Sequence, residues 1–362
     1  MHMQEIFEKF AKSPAMAGIV APTDIQRDAI PHILGGRDII AQSPTGTGKT
    51  LSYLLPIFAG IKGDIRAVQA VIIAPTYELA SQIAMVARGL AEKADSDVAL
   101  LIGGADKRRQ LTALKAKPLV IVGSLGRISD FVVEKKLSMH HVRTLVFDEA
   151  DRLFVEQNMI NIQAVIKATL RDRQILLFSA TMPKKTAETA TPLMKEPVNI
   201  GIGNAIPKNI RHFYTICEGR KKAERLRSII HNQSIEKMLI FVNRPFDIEK
   251  AAQRLNFHNI PTSPLHGDKD KVARKAAMEA LRKGKIKALV ASDAGSRGLD
   301  IGGLNHVVNL DLPAREKDYI HRAGRCGRAG ADGTVISIVT GGEAEALKKM
   351  AKKLKIPLEE YL

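Results

Sequence analysis

The sequence contains no tryptophan and only two cysteines, and aromatic residues make up 4% of its 362 positions. So few aromatic side chains exclude a binding surface built on many base-stacking platforms. The two cysteines, Cys217 and Cys326, exclude a disulfide framework and favour a reducing cytoplasm. No apolar run approaches the roughly 18 residues of a membrane span. The N-terminus also lacks the basic region and apolar core of a signal peptide.

Basic residues outnumber acidic ones, with 55 Lys plus Arg against 38 Asp plus Glu, and the formal charge is +17. This excess favours a polyanionic partner, with nucleic acid ahead of a membrane surface. Charge alone does not decide the matter, because many basic faces of proteins are simply solvated. The chain is long enough for about two domains of ordinary size.

Short runs rich in Val and Ile recur along the chain and show little alternation of apolar and polar residues, which predicts strands buried on both faces. Helix-like stretches such as 77–90, 247–255 and 271–281 lie between them. Strands that alternate with helices predict an α/β fold with parallel sheets flanked by helices. The predicted strands are 39–41, 70–74, 119–122, 144–147, 175–178, 238–242, 288–291, 307–310 and 335–339.

A break in this pattern predicts two domains. Residues 196–207 include Gly201, Gly203, Asn204 and two prolines, a composition typical of a hinge or linker. We therefore expect a first domain over 1–203, a linker over 204–209 and a second domain over 210–362. The two halves share an architecture without an obvious sequence repeat.

A glycine-rich loop between a predicted strand and a predicted helix indicates a phosphate site. Its glycines let the backbone approach phosphate oxygens, the lysine suits the terminal phosphates, and the last threonine hydroxyl suits Mg²⁺. A serine replaces the usual first glycine of this pattern. The competing interpretation is a glycine loop beside an ordinary helix. The nucleotide-binding residues predicted here are Ser43, Pro44, Thr45, Gly46, Thr47, Gly48, Lys49 and Thr50.

Two adjacent carboxylates follow the predicted strand 144–147, at the end of the strand where open α/β sheets bind ligands. Asp148 suits a direct or water-mediated contact with Mg²⁺. Glu149 is placed to orient and deprotonate a water for in-line attack on a γ-phosphate. The pair is also compatible with capping the helix that follows. The phosphate loop upstream favours the catalytic interpretation.

With Asp148-Glu149-Ala150-Asp151 in place, the chain resembles the DEAD-box family of ATP-dependent RNA helicases, in the form of a minimal bacterial-type core. The resemblance runs nearly end to end, because the motifs occur in the family's order. They read GIVAPTDIQ (18–26), PTYELA (75–80), GG (103–104), GSLGR (123–127), SAT (179–181), FVN (241–243), LHG (265–267), SD (292–293), RGLD (297–300) and HRAGRCGR (321–328). The resemblance implies two RecA-like domains joined by a flexible linker.

It also implies roles around the nucleotide. Gln26 would read the adenine edge, since an amide both donates and accepts hydrogen bonds. Asp300 would accept from ribose hydroxyls, and Arg325 and Arg328 would reach the γ-phosphate, with Arg328 as the first choice for an arginine finger. His321 would link the acidic motif to the coupling motif, although a lone histidine is also compatible with a structural role. The implied coupling residues are Ser179, Ala180 and Thr181.

The implied RNA contacts offer backbone amides, hydroxyls and one guanidinium. Contacts of this kind hold phosphates and sugars and carry no sequence information. We therefore expect binding that depends on salt and little on sequence. The implied RNA-binding residues are Pro75, Thr76, Gly103, Gly104, Ser124, Arg127, His266, Gly267 and Ser292.

Several positions depart from the family pattern. Tyr77 stands where Arg is usual, Leu125 where Pro is usual, and Lys271 where Gln is common. Phe7 and Phe10 are the candidates for stacking on adenine, at unusual spacing. The expected function is an RNA-stimulated ATPase, using ATP and Mg²⁺, that locally unwinds short RNA duplexes or remodels RNA–protein complexes as a cytoplasmic monomer. The alternatives are an ATP-gated RNA clamp with little unwinding, and a DNA translocase on the same two-domain core.

Overall fold

The fold consists of two compact units that each contain one β-sheet. The first unit takes in Met1–Ser43 and Thr47–Gly203, and the second takes in Asn204–Leu362. The computed structural model describes residues 2–19, 21–44, 46–91, 97–201, 209–232, 235–265, 271–296, 303–327 and 331–361.

Among the described residues, the first unit has a seven-stranded sheet in the order β3-β4-β2-β5-β6-β1-β7, and every neighbouring pair is parallel. Parallel pairing brings the carboxyl ends of all these strands to one edge of the sheet, where the predicted motifs follow. The strands are β1 Ile39–Gln42, β2 Ala70–Ala74, β3 Val98–Leu101, β4 Val120–Ser124, β5 Thr144–Asp148, β6 Gln174–Ser179 and β7 Val198–Ile200.

The helices of the first unit connect these strands. Several begin at a capping residue: Thr23 and Gln26 form a capping box at the start of α2, and the hydroxyl of Thr76 accepts from the Leu79 N–H at the start of α4. The described helices are α1 Met3–Phe10, α2 Asp24–Leu34, α3 Lys49–Gly60, α4 Tyr77–Leu90, α5 Lys107–Lys115, α6 Leu125–Val133, α7 Ala150–Leu153, α8 Met159–Lys167 and α9 Lys184–Ala190.

The second unit has a seven-stranded sheet among its described residues, in the order β10-β11-β9-β12-β13-β8-β14, again with parallel pairs throughout. Its strands are β8 Ile210–Ile216, β9 Met238–Phe241, β10 Thr262–Leu265, β11 Ala288–Ala291, β12 His306–Asn309, β13 Gly333–Val339 and β14 Glu359–Glu360. Its described helices are α10 Lys222–Asn232, α11 Pro245–Phe257, α12 Lys271–Arg282, α13 Glu316–Ala323 and α14 Gly341–Leu354.

The two sheets have the same strand order when each is counted from its own first strand. Each is buried on both faces, because successive residues of the central strands enter different apolar clusters. In β2, Ala70 and Ile72 pack into one cluster while Val71 and Ile73 pack into the other. Strand β9 divides in the same way between the two clusters of the second unit. The predicted α/β fold with parallel, helix-covered sheets is confirmed.

One prediction about the chain's organisation is wrong in part. Residues 198–200, inside the stretch interpreted as a hinge, form β7 and pair with β1 at the edge of the first sheet. The prolines and glycines on either side of this three-residue strand indicated a linker, so the sequence did not predict the strand. Within the described residues, no helix combines the length and the apolar character that crossing a membrane requires.

Candidate functional site

The phosphate loop lies between the end of β1 and the start of α3 and is held by contacts of its own side chains. Ser43 Oγ and Thr47 Oγ1 are 2.6 Å apart, and Lys49 Nζ donates to the Ser43 carbonyl oxygen at 2.7 Å. The N–H of Ser43 donates to the carbonyl of Ser179 at 2.9 Å, which ties the loop to β6. The Lys49 ammonium therefore folds over the loop, where terminal phosphates are predicted to bind.

The glycines of this loop have conformations that other residues rarely adopt. Gly46 and Gly48 have φ values of 81° and 92°. A Cβ atom on Gly48 would lie 2.5 Å from Nε2 of Gln26, so the position also has no room for a side chain. Thr45, predicted to line the same loop, lies outside the described residues.

Gln26 connects the first turn of α2 to this loop. Its side chain is 1% exposed. Oε1 accepts from the Thr23 N–H at 2.9 Å, and Nε2 donates to the Gly48 carbonyl at 3.2 Å. The amide keeps one further N–H and one further lone pair for another partner. The structure thus adds a helix-capping and loop-holding contact to the adenine-reading role predicted for Gln26.

Asp148 ends β5 beside the phosphate loop, and Tyr53 from α3 holds it. The Tyr53 hydroxyl donates to Asp148 Oδ2 at 2.9 Å, and both side chains are buried. Burial raises the pKa of Asp148, while the nearby Lys49 ammonium opposes that rise. Burial and the charge of Asp148 raise the pKa of Tyr53 well above its ordinary value, so its hydroxyl stays protonated and donating.

Sequence reasoning missed Tyr53, because it lies in an apolar stretch of helix and its contact spans 95 positions. Its spacing was the available signal. Tyr53 follows Lys49 by four residues, which places both side chains on the same face of α3.

Glu149 has an unusual backbone and an incompletely satisfied carboxylate. Its φ is 49°, in the left-handed region, where a residue other than glycine carries strain of about 1 kcal/mol or more. Its N–H donates to Asp148 Oδ1 at 2.9 Å. Among the described residues, Glu149 Oε2 is buried with no hydrogen bond, and Arg152 Nε lies 3.4 Å from it. Such an oxygen is suited to accept a hydrogen bond from a water or ligand.

The oxygen atoms in this region fit a magnesium ion by their chemistry. Mg²⁺ prefers hard oxygen ligands and is usually held by one or two carboxylates, substrate phosphates and waters. Asp148 supplies a carboxylate whose orientation is fixed by Tyr53, and Thr50 supplies a hydroxyl in the first turn of α3. A site of this composition needs no all-protein cage, and the residues present suit one that the nucleotide completes.

Asp151 links α7 to the end of β6. Its Oδ1 accepts from the Ser179 hydroxyl at 2.6 Å, and its Oδ2 accepts from the Thr181 hydroxyl at 2.9 Å. Ala180, between these two residues, is buried as well. Burial raises the pKa of Asp151, and the two hydroxyl donors oppose the rise. The predicted coupling residues therefore contact the acidic motif directly within the first unit.

The structure brings together two of the segments predicted to bind RNA. The Gly103 N–H donates to Ser124 Oγ at 3.2 Å. Arg127 donates from both Nη atoms to the Ala105 carbonyl at 3.4 Å, and its guanidinium lies 5.6 Å from the centre of the Phe131 ring. Gly104 and Gly126 are exposed on the same part of the surface. Loop 103–105 and the start of α6 thus form one continuous patch of backbone and short side chains.

Pro75 and Thr76 directly follow β2. Two of the residues that depart from the family pattern, Tyr77 and Leu125, pack inward, and the side chain of the third, Lys271, lies outside the described part of the structure. Tyr77, half-buried, packs against the apolar core of the first unit. Leu125, at the start of α6, is buried in the cluster on the opposite face of the sheet. Phe10 is also buried in the core, and Phe7 packs partly against it. None of these four side chains is freely exposed.

In the second unit, Arg322 of α13 donates hydrogen bonds to residues at the carboxyl ends of three strands, β9, β11 and β12. The sequence alone indicated no role for this arginine. It is 1% exposed. Nε and Nη2 donate to the two oxygens of Asp293 at 2.7 and 2.8 Å, and Nη2 also donates to Asn243 Oδ1 at 2.8 Å. Nη1 donates to Asn309 Oδ1 at 3.2 Å and to the Asp311 carbonyl at 2.7 Å. Its position inside the HRAGRCGR motif was the available signal.

Three other predicted residues of the second unit, Arg325, His321 and Ser292, lie close to Arg322 or Asp293 along the chain and are buried. Arg325 is buried and donates from Nε to the carbonyl of His321, which is itself 7% exposed. Ser292, also buried, accepts from the Gly295 N–H at 3.2 Å. His266, Gly267, Asp300 and Arg328 lie outside the described residues.

Comparisons with known protein families agree with this arrangement. The sequence profile described as DEAD/DEAH box helicase matches residues 23–190, and the profile described as Helicase conserved C-terminal domain matches residues 221–330. The chain is 44% identical over 355 residues to the DEAD-box ATP-dependent RNA helicase CshC of Bacillus cereus, covering 98% of this chain and 89% of that protein. It is 40% identical to the probable ATP-dependent RNA helicase YfmL of Bacillus subtilis, covering 95% and 92% of the two chains.

Solved structures share the fold. Saccharomyces cerevisiae Dbp5 bound to RNA and ADP BeF3 matches with a TM-score of 0.86 and 26% identity over 98% of this chain and 95% of that one. A DEAD box protein from the hyperthermophile Methanococcus jannaschii matches with a TM-score of 0.62 and 31% identity over 96% and 95%. The two parallel sheets are RecA-like domains, and the chain belongs to the DEAD-box family of ATP-dependent RNA helicases.

Proposed function

We propose that this protein couples RNA binding to ATP hydrolysis and uses ATP-driven closure of two lobes to unwind short RNA duplexes locally or to remodel RNA–protein complexes. The lobes are residues 1–203 and 210–362, joined by a linker at 204–209. Closure of this kind requires that ATP bind the closed state more tightly than the open one. The names of CshC and YfmL, and RNA with a nucleotide analogue on Dbp5, support this proposal.

The observation that carries the proposal is the contact of Asp151 with Ser179 and Thr181. These buried hydrogen bonds of 2.6 and 2.9 Å join the strand end that supplies Asp148 and Glu149 to a neighbouring strand end. A change at the γ-phosphate therefore has a short, rigid path out of the nucleotide site.

We assign the nucleotide to the phosphate loop, with Gln26 at the adenine and Asp300 at the ribose. Lys49 and the loop amides hold the phosphates, and Thr50 and Asp148 are the protein groups for Mg²⁺. When bound, Mg²⁺ supplies charge stabilisation on the phosphate oxygens. Glu149 orients the attacking water and accepts its proton as the oxygen bonds to the γ-phosphorus and the bond to ADP breaks.

The second lobe completes the proposed cycle. Arg325 and Arg328 stabilise charge on the transferring phosphoryl group, and His321 links the acidic and coupling motifs. The protein acts as a monomer. It holds RNA through the RNA backbone, with little sequence preference, at residues that include Thr76, Gly103 and Arg127. Once phosphate leaves, these arginines lose their partner, the lobes open and RNA is released.

The test of this proposal is steady-state ATPase activity with and without single-stranded RNA, with Lys49→Ala as the blank. We expect stimulation by RNA and none by single-stranded DNA. Glu149→Gln should lower turnover by about 10² or more while ATP and RNA still bind. ATP turnover that does not change when RNA is added would contradict the proposed coupling. Turnover in Glu149→Gln equal to that of the unmodified protein would exclude Glu149 from the mechanism.

A second candidate is an ATP-gated RNA clamp that closes in the same way and unwinds little. This candidate is favoured by Tyr77 and Leu125, which replace the Arg and Pro usual in the family's RNA-contacting motifs. Both side chains pack into apolar clusters of the first unit and add no charge for RNA. Strand displacement measured alongside RNA retention with a non-hydrolysable ATP analogue separates the two candidates. Retention without displacement identifies a clamp.

A further inference from the structure

The basic surface at the start of α5 is formed by Lys107, Arg108 and Arg109. The helix reads KRRQLTALK, with four basic residues and no acidic one. All three residues of the basic surface are exposed. They lie outside every motif to which a role has been assigned above.

These three cations are placed where they do not favour the helix. The N-terminal end of a helix carries partial positive charge, so basic side chains in its first turn are destabilising. Asp106 caps this end by accepting from the Arg108 N–H at 2.8 Å. The backbone at this end therefore already has its anionic partner, and the attraction for any further anion comes from the three side chains.

The acidic partners of the basic surface leave Arg108 and Arg109 the most available of its three cations. Lys107 pairs with Glu134 of the neighbouring helix, and Arg109 Nε lies 3.9 Å from Asp106. Arg109 is 91% exposed at its side chain. Within the part of the chain that the structure describes, the Arg108 side chain forms no ion pair. Arg108, and Arg109 with its long and exposed pair, therefore keep guanidinium groups that can bind an external anion.

The basic surface is held rigidly beside the proposed RNA contacts. The Gln110 side chain forms two hydrogen bonds with the backbone of Ile102. Gln110 Oε1 accepts from the Ile102 N–H at 2.9 Å, and Gln110 Nε2 donates to the Ile102 carbonyl at 3.0 Å. The turn 103–105 between them supplies Gly103 and Gly104, and Arg127 bonds to its last carbonyl. The cations thus continue the same surface at a fixed position.

We propose that the basic surface of α5 extends the RNA-binding track of the first lobe by holding RNA phosphates beyond Gly103–Gly104. This proposal rests on the proposed function and adds to it a further subsite. Arginine suits the role, because its planar fork pairs with phosphate oxygens and remains charged. The contact reads no base, so it lengthens the bound RNA without adding sequence preference.

The test is the salt dependence of RNA affinity in the full chain, measured with oligouridylate RNA and a non-hydrolysable ATP analogue. Arg108→Gln combined with Arg109→Gln should lower the slope of log affinity against log salt by about 1.4, at about 0.7 for each phosphate contact on a single strand. The affinity difference from the unmodified protein then shrinks about sevenfold between 50 and 200 mM salt.

The matched control removes two charges at the other end of α5, by Lys115→Gln at the last residue of the helix and Lys117→Gln two residues beyond it. Arg108 and Lys115 are about 10 Å apart along the helix, which is about one Debye length at 0.1 M salt. The control should leave the slope nearly unchanged. The melting temperature of the Arg108 and Arg109 variant should equal or exceed that of the unmodified protein, because two unfavourable cations are removed.

Each outcome has one meaning. An unchanged slope in the Arg108 and Arg109 variant, or an equal loss in the control, would overturn the subsite and leave the proposed function intact. A second readout is RNA length: the variant should match the unmodified protein on the shortest oligouridylates that still bind and fall behind as length increases. Failure of the unmodified protein to bind RNA at all would instead contradict the proposed function.

Discussion

Arg322 and Asp293 form a bidentate ion pair in the second unit. Arg322 Nε donates to Asp293 Oδ1 at 2.7 Å, and Nη2 donates to Oδ2 at 2.8 Å. The same guanidinium lies 4.8 Å from the centre of the Phe241 ring and reaches two asparagine side chains and a backbone carbonyl. A buried arginine with so many acceptors acts as a structural junction between strand ends, and the chemistry nearby depends on its geometry.

We expect Arg322→Lys to destabilise the protein by about 3 kcal/mol, because lysine keeps the charge but cannot satisfy acceptors in a planar fork. The loss is measured from the urea transition of the second unit, which contains Arg322. Arg315→Lys is the matched control: Arg315 pairs with Asp318 at 2.8 Å but is 64% exposed at its side chain. An exposed pair contributes at most about 1 kcal/mol. Similar losses in the two variants would show that Arg322 is not a junction.

Tyr53→Phe removes only the hydroxyl that holds Asp148. We expect the variant to need about tenfold more Mg²⁺ for half-maximal binding of a fluorescent ATP analogue, because a hydrogen bond to a buried carboxylate contributes about 1.5 kcal/mol or more. Nucleotide binding is measured across a Mg²⁺ titration, separately from turnover.

Tyr214→Phe is the control for this substitution. Its hydroxyl contacts Glu360 at 3.3 Å in the second unit, away from the predicted nucleotide residues of the first sheet in sequence and topology. It should leave the Mg²⁺ titration unchanged. A Tyr53→Phe titration that superimposes on that of the unmodified protein would mean that Asp148 needs no help from Tyr53.

Ser179→Ala should separate ATP hydrolysis from duplex separation. The substitution removes the 2.6 Å hydrogen bond to Asp151 and leaves the phosphate loop, Asp148 and Glu149 in place. RNA-stimulated ATPase should stay within a few-fold of the unmodified protein, whereas strand displacement should fall on the order of tenfold. Parallel loss of both activities would place Ser179 in nucleotide binding itself.

Because of His212, we expect the free energy of unfolding to decrease in mild acid. His212 is 2% exposed, its Nδ1 lies 2.9 Å from the Tyr319 hydroxyl, and burial lowers its pKa from 6.5 to about 4. Between these values the unfolded chain binds a proton that the folded chain does not, so stability falls as pH falls. From pH 7 to 5 the expected loss from this residue is about 2 kcal/mol.

The check is the free energy of unfolding of the second unit, which contains His212, at pH 7 and pH 5 for the unmodified protein and for His212→Asn. Asparagine keeps an acceptor near the Tyr319 hydroxyl and does not titrate. The variant should therefore lose about 2 kcal/mol less on acidification. Equal losses would show that His212 does not control this pH dependence.

The strands that the sequence predicted and those that it missed differ in position. Runs such as Ala70–Ala74 and Ala288–Ala291 lie inside the sheets, where burial on both faces forces every residue to be apolar. The missed strands β3, β7, β10 and β14 are the four edges. An edge tolerates polar residues and even Pro264, so its composition is weakly constrained. Strand β8 was also missed. Among the described residues, it has only the two-residue β14 beyond it, and its first five residues alternate between buried and less buried positions.

The candidate site divides in a similar way. The loop 43–50 and the pair Asp148–Glu149 were predictable, because their chemistry depends on a few residue types at fixed spacing. The contacts of Tyr53 and Arg322 were not, because each joins residues far apart in sequence through a side chain that local patterns class as helix interior. Residue spacing identifies the groups proposed to bind the nucleotide better than it identifies the side chains that hold those groups in position.

The shared strand order of the two sheets has a consequence for folding. Each sheet is covered on both faces by clusters drawn from its own unit, so each half contains the core that an independent domain requires. Chains built in this way unfold domain by domain, and the first half can fold during synthesis before the second is made. Chemical denaturation of the whole protein should then show two transitions, and a single free energy of unfolding would be an average over two different domains.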